Sequence, residues 1–316
     1  MSRDRSVKAD FVRSGGKVIR NTYLFGNHMR DLNYQLKNLC RYSNQGSFNT
    51  RSDREHQLTQ IANQLHELGY RGMTKDSLKP KHIDALVKLW LAEGKSPGTI
   101  KNRMSALRWW SRAVHKENVI ARSNDFYGIP DRRFIAEISK AQSLDQELLS
   151  KVKDENTRMS LALQYAFGLR REEAIKIRPM QADQGDHLVL QASWTKGGKA
   201  RTVPVRTEEQ RQVLESAKRL AGQGALIPRG KLYIEQLRIY ERHTANAGLS
   251  KMHGLRHAYA QRRYEELTGW LCPANGGPAS KTLNPDQKQI DRDVRLKVSL
   301  ELGHNRAQIT AVYVGA

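Results

Sequence analysis

Five short stretches carry side chains suited to reaction at a phosphodiester: GLRREE (168–173), TKGGKARTVPV (195–205), HGLRH (253–257), LGH (302–304) and Tyr313. Breaking such a bond without a metal calls for a nucleophile, cations to meet charge growing on the nonbridging oxygens, and an acid for the leaving 5′-oxygen. Tyr313 offers the nucleophile, a phenol oxygen able to attack phosphorus. Arg170 and Arg256 supply planar forks that stay charged and fit a phosphate through two parallel hydrogen bonds. Arg171 is the alternative register for the first of them. Lys196 can protonate the departing oxygen, while His253 and His304 can donate to phosphate oxygens or handle the tyrosine proton. Glu173 is the odd carboxylate of the set, expected to hold Arg256, His253 or a neighbouring backbone in place; His257 is expected to pack behind them.

The charge balance points to the same kind of partner. The 316 residues hold 54 Lys+Arg against 32 Asp+Glu, a formal net charge of +22. A surplus of that size is costly self-repulsion unless phosphates or anionic lipid offset it. With 38% hydrophobic residues and many carboxylates among the 27% charged ones, the composition reads as a folded protein with a basic surface rather than a basic tail. A nucleic acid is the expected polyanionic partner. Cys40 and Cys272 cannot form a disulfide framework or a four-thiolate zinc site, and MSRDRSVKAD has no apolar signal region, so a cytoplasmic, DNA-associated protein is expected. No apolar run approaches the roughly 20 residues that cross a bilayer, so no membrane role is expected. Neither a His/Cys ligand cluster nor a pair of carboxylates suited to two-metal chemistry stands out, and no metal or other cofactor is expected. The KGGK run (196–199) lacks the first glycine of a nucleotide phosphate loop and has Ala200 where a hydroxyl should hold Mg²⁺.

These side chains need a scaffold, and the pattern is mainly α with a small β-sheet. Residues 1–20 mix Arg, Lys and Gly without periodicity and read as a flexible basic arm. Residues 21–120 read as a helical domain. A first helix near 28–42 buries Met29, Leu32, Leu36 and Leu39; a second opens on a Ser52-x-x-Glu55 capping box, runs through Leu58, Ile61, Leu65 and Leu68, and stops at Gly69 and Gly72. A third runs from Pro80 through Ile83, Leu86, Val87 and Trp90 to Gly94. The fourth, from Ser96-Pro97, has an apolar stripe of Ile100, Met104, Leu107, Trp110 and Val114 beside a cationic one of Lys101, Arg108, Arg112 and Lys116, which is expected to track DNA phosphates. Trp109 is either rim packing or a base contact. Residues 121–143, aperiodic and holding Gly128 and Pro130, read as a linker. A Ser143-x-x-Gln146 box then opens the domain 144–316, with helices near 144–152 and 154–167 and a hairpin of 187–193 with 201–205 around Gly197-Gly198. Lys199 and Arg201 on this hairpin are expected DNA contacts.

Taken together, the five stretches resemble the tyrosine recombinase (phage integrase) family. A Gly-Leu-Arg-x-x-Glu helix start matches Arg170 and Glu173, with Phe167 where Thr is common; a hairpin written Thr-Lys-x-x-Lys-x-Arg-x-x-Pro matches Thr195, Lys196, Lys199, Arg201 and Pro204. The His-x-Leu-Arg-His box matches His253, Leu255, Arg256 and His257, and Leu-Gly-His precedes Tyr313 by the family's usual interval of nine from His304. Each stretch alone has an ordinary structural explanation; all five in order do not. The resemblance covers about 143–316, with the helical half matched by pattern only. It implies catalytic roles for Arg170, Glu173, Lys196, His253, Arg256, His304 and Tyr313, and an α+β integrase-type catalytic domain behind a helical core-binding domain. It also implies a clamp around duplex DNA, a homotetramer on that DNA, and accessory DNA-bending proteins.

Two departures stand against the family pattern. Only three residues follow Tyr313, so assembly is expected to be organised differently or more weakly than in relatives with a longer docking tail. The stretch between His257 and Leu302 is long and contains CPANGGPASKTLNPD (272–286), read as a loop insertion with either a contact role or none. The expected activity is cleavage and rejoining of DNA through a 3′-phosphotyrosyl intermediate, for integration or excision of a mobile element. A type IB topoisomerase-like relaxing enzyme and a non-cutting DNA-binding regulator are the alternatives.

Overall fold

The computed structural model describes residues 13–14, 17–18, 31–132, 135–136, 138–304 and 306–316. The chain divides into two compact units, Met1–Arg132 and Arg133–Ala316. Of the expected basic arm, only a short antiparallel pair, β1 (Arg13–Ser14) with β2 (Lys17–Val18), is among the described residues.

The first unit is helical: α1 (Asp31–Tyr42), α2 (Phe48–Glu67), α3 (Pro80–Ala92) and α4 (Pro97–Ala113). Helix α1 buries Leu32 and Leu36 as its spacing requires, while Met29 lies outside the described residues. Helix α2 begins earlier than its sequence pattern indicates. Its cap is Ser47, whose hydroxyl accepts from the Thr50 N–H at 3.2 Å, and Ser52 already lies inside the helix. Helices α3 and α4 start at prolines, which lose nothing at a position whose N–H has no helical partner. The α4 stripe of Ile100, Met104, Leu107 and Trp110 is fully buried, and Trp90 and Trp110 find acceptors in Gln64 Oε1 and Lys75 O at 2.9 and 2.7 Å. Trp109 is packing: it is 5% exposed, donates to Gln45 Oε1 and lies under the Arg54 guanidinium. Ile120 and Ile129 join this core, so the first part of the aperiodic 121–143 stretch packs with the helices.

The second unit contains α5 (Gln146–Ser150), α6 (Glu155–Phe167), α7 (Arg171–Lys176), α8 (Pro179–Ala182), β3 (His187–Leu190), β4 (Arg201–Pro204), α9 (Glu208–Ala221), α10 (Tyr233–Asn246), α11 (Gly254–Thr268), α12 (Pro285–Glu301) and α13 (Ala311–Val314). Asp145, not Ser143, caps α5, accepting from the Glu147 N–H. Strands β3 and β4 pair antiparallel, with Leu188 opposite Val203 and Leu190 opposite Arg201. Leu188, Leu190 and Val203 face a core shared with Phe167, Leu169, Leu214, Tyr259, Val298 and Leu302. The fold is therefore mainly α, with a small antiparallel hairpin in the second unit.

Candidate active site

Helix α6 ends at Gly168, in the left-handed region at φ +62°; a Cβ there would lie 2.5 Å from Tyr259 Cδ1, so only glycine fits. The turn sets Arg170 in extended geometry at the N-cap of α7. Glu173, one turn on, reaches back: Oε2 accepts from the Arg170 N–H at 2.6 Å and Oε1 from Arg170 Nη1 at 2.8 Å.

Glu173 is fully buried and is gripped from the other side by Arg201 of β4, whose Nη1 and Nη2 donate to its two oxygens while Nε donates to Glu301 O. Burial alone would raise the Glu173 carboxyl. Hydrogen bonds and charge from Arg201, with the charges of Arg256 and Arg170, overcome it and bring the pKa down to about 2. Arg201 thus departs from the DNA-contacting role its hairpin position predicts. Its side chain is 6% exposed, because a buried carboxylate requires a paired cation.

Arg256 lies in the first turn of α11 and is 1% exposed. Its Nη1 donates to Gly168 O, its Nη2 to Leu302 O and its Nε to the Tyr313 hydroxyl at 3.3 Å. Burial lowers its pKa to about 10, which leaves it a cation at neutral pH. One guanidinium therefore ties the end of α6, the end of α12 and the α13 tyrosine together.

After α12, Gly303 (φ +71°) turns the chain and His304 follows, its backbone N–H held by Ser299 O. His304 Nε2 lies 3.5 Å from Arg170 Nη2 and 3.4 Å from the Tyr313 hydroxyl. Burial, then the charges of Arg256, Arg170 and Arg201, lowers its pKa to about 4. In the tautomer that lets Arg170 donate, Nε2 is the unprotonated nitrogen, and the phenol accepts from Arg256 while donating to His304. The ring of His253 lies 6.0 Å from that of Tyr313; burial and the charges of Arg256 and Arg170 lower its pKa. His257 packs at 4.7 Å from Tyr313 with Nδ1 unpartnered among the described residues, and burial, then His253 and Lys140, lowers its pKa to about 4. Tyr313 itself is 5% exposed, and its carbonyl accepts from Gln261 Nε2 at 2.8 Å.

The remaining expected residues lie apart from this cluster. Lys196 and Lys199 are exposed on the turn between β3 and β4, where Gly197 and Gly198 take φ +84° and +65°, and Lys196 has no partner among the described residues. Of the expected cationic stripe, which lies on α4 except for Lys116 just beyond its end, only Arg112 is exposed with no partner among the described residues. Lys101 is paired with Asp131 at 2.6 Å, Arg108 donates to Ala121 O and Asn124 Oδ1, and Lys116 Nζ donates to Asp76 O. These three serve the packing of their own unit. Sequence reasoning missed Gln261 and the Arg201–Glu173 pair. Strand alternation could have found the latter, since Arg201 shares the face of buried Val203.

Residues 29–120 match the family described as phage integrase, N-terminal, and residues 132–262 the family described as integrase. No curated protein sequence matches significantly. Among solved structures, a lambda integrase dimer bound to a COC′ core site matches with a TM-score of 0.56 at 18% identity, over 89% of this chain and 76% of that one. The XerH site-specific recombinase in a post-cleavage complex with palindromic difH substrate gives 0.55 at 16% identity, over 90% and 81%. A lambda integrase tetramer bound to a Holliday junction gives 0.52 at 16% identity, over 87% and 77%. At these identities the structural likeness speaks for the fold. The two family matches together span most of the chain, and with the arginine–histidine–tyrosine cluster in place the chain belongs to the tyrosine recombinase (phage integrase) family of DNA strand transferases.

Proposed function

We propose that this protein cleaves and rejoins duplex DNA at a defined site through a 3′-phosphotyrosyl intermediate, in the integration or excision of a mobile element. The observation that carries the reading is the hydroxyl of Tyr313, which accepts from Arg256 and donates to His304, itself met by Arg170. In this scheme the scissile phosphate enters between Arg170 and Arg256, which bear the charge on its nonbridging oxygens. The Tyr313 oxygen bonds to phosphorus and its proton passes to the neutral His304 imidazole. The bond from phosphorus to the 5′-oxygen breaks, and Lys196, brought in on its hairpin turn, supplies the proton that makes the 5′-hydroxyl. The phosphotyrosine ester keeps the energy of the broken bond, so a 5′-hydroxyl can reverse the step without ATP. Arg112 and Lys199 are the proposed phosphate contacts outside the cluster. A homotetramer on DNA, aided by DNA-bending proteins, is the proposed working assembly, in keeping with the tetramer that lambda integrase forms on a Holliday junction.

The test is capture of genomic DNA ends linked to the protein, followed by a suicide substrate built on the recovered site. A covalent adduct that disappears in Tyr313→Phe supports the reading; no adduct on any recovered or cognate site overturns it. Joining of two marked duplexes at that site separates recombination from simple relaxation.

A further inference from the structure

The segment between α11 and α12 is folded against the residues that flank Tyr313. Cys272 is 1% exposed within the core that also holds Tyr313 and Val314. The turn that follows is tight: the Gly277 N–H donates to Cys272 O, and a Cβ on Gly277 would fall 1.7 Å from Leu271 O. Gly315 sits on this turn at φ +82°, where a Cβ would meet Ala274 N at 2.7 Å and Ala136 O at 3.1 Å.

A buried polar network fastens the same place from below. Arg295 of α12 donates through Nη1 to Gly315 O at 2.7 Å and through Nε to both oxygens of Asp291 at 2.8 and 2.9 Å. Asp291 also accepts from the Tyr264 hydroxyl at 2.6 Å and from Ser280 Oγ at 2.9 Å, and Ser280 belongs to the intervening segment. On the near side of the nucleophile, Thr310 Oγ1 donates to Arg295 O at 2.9 Å. Arg295 thus touches the backbone beyond Tyr313 through its side chain and the turn before it through its carbonyl. Arg295 and Asp291 are 7% and 4% exposed and lie outside the arginine–histidine cluster. A buried ion pair with every oxygen used is weak as a source of stability but strong as a specifier of geometry.

We propose that the 272–284 segment and the Arg295–Asp291 pair form a positioning device for the nucleophile: they seat Gly315 and so hold the Tyr313 phenol over Arg256 and His304 of the same chain. Arg295 is a positioning residue, since it touches none of the reacting atoms. The inference rests on the reading of Tyr313 as the nucleophile.

The experiment compares the full-length protein with its Gly315→Ala, Arg295→Lys and Arg295→Ala variants on the suicide substrate, with hydrogen peroxide as a small external nucleophile in a parallel reaction. Displacing a nucleophile by about an ångström costs on the order of 10²-fold in rate. Gly315→Ala and Arg295→Ala should therefore lose about that factor in adduct formation, and Arg295→Lys less, while DNA affinity and peroxide-driven strand cleavage hold within about twofold, because the phosphate pocket is intact. Adduct formation at the parental rate in Gly315→Ala and Arg295→Lys overturns the proposal. So does an equal loss of peroxide cleavage, which marks general damage to the fold. If the parental protein forms no adduct, the reading of Tyr313 itself falls, a result distinct from either.

Discussion

The Arg201 guanidinium closes on the Glu173 carboxylate with hydrogen bonds of 2.6 and 2.7 Å, where neither side chain is more than 6% exposed. Arg201→Met therefore leaves the buried carboxylate with Arg170 as its remaining ion-pair partner and should cost about 3–5 kcal/mol in chemical denaturation. The pH dependence has a definite sign. A carboxyl lowered from 4.5 to about 2 contributes stability that is full above pH 4.5 and is lost as pH falls toward 2, about 3 kcal/mol in all. A Glu173→Gln, Arg201→Met double variant should lose that part of the acid slope.

Arg170 and Arg256 both line the proposed phosphate site, but of the two only Arg256 bridges two backbone carbonyls among the described residues. Replacing either with Lys keeps the charge and loses the fork, at an expected cost of about 10²–10³-fold in cleavage. Arg256→Lys should lose a further ~1–3 kcal/mol of folding stability, and Arg170→Lys much less. Paired cleavage and denaturation curves check the difference; equal destabilisation by both would contradict it.

His304 and His257 are neutral in the folded protein at neutral pH, with pKa values near 4 against an ordinary 6.5. Below pH 6.5 the unfolded chain binds protons that the folded chain refuses, so stability should fall between pH 6.5 and 4. In the proposed complex a bound phosphodiester would oppose this shift for His304 by favouring its charged form. DNA binding near pH 5.5 should therefore take up a proton, measurable by calorimetry in buffers of different ionisation enthalpy, and His304→Gln should abolish the uptake.

On α4, Arg112 has no partner among the described residues while Arg108 is committed to Ala121 and Asn124. Arg112→Ala should weaken DNA binding and reduce the slope of log affinity against log salt by about 1. Arg108→Ala should instead cost about 1–2 kcal/mol in thermal or chemical unfolding and leave the slope nearly unchanged.

The apolar stripe of α4 and the hairpin were legible because periodicity and glycine geometry are local. Cap choice was less so. Ser47 and Ser52 both satisfy a capping rule, and Phe48, 77% exposed, gives no apolar signal that the helix has begun. The cationic face of α4 was legible as charge but not as function. The carboxylate that neutralises Lys101 is Asp131, thirty residues away, and no spacing rule reveals such a partner. The cluster around Tyr313 was read from residue types, whereas the spans that bring Arg256 to Gly168 and Leu302 belong to the tertiary fold.

The double grip of Arg256 on those two carbonyls has a bearing on how the chain is made. The contacts reach back 88 residues and forward 46, and the tyrosine lies 57 further along the chain from the arginine. A nascent or partly unfolded chain should lack the proposed phosphate pocket, because the Arg256 guanidinium is oriented by helix ends that must dock first. On the proposed mechanism, reactivity toward DNA is thereby expected only once the second unit has finished folding, and a folding intermediate should be a poor nicking agent.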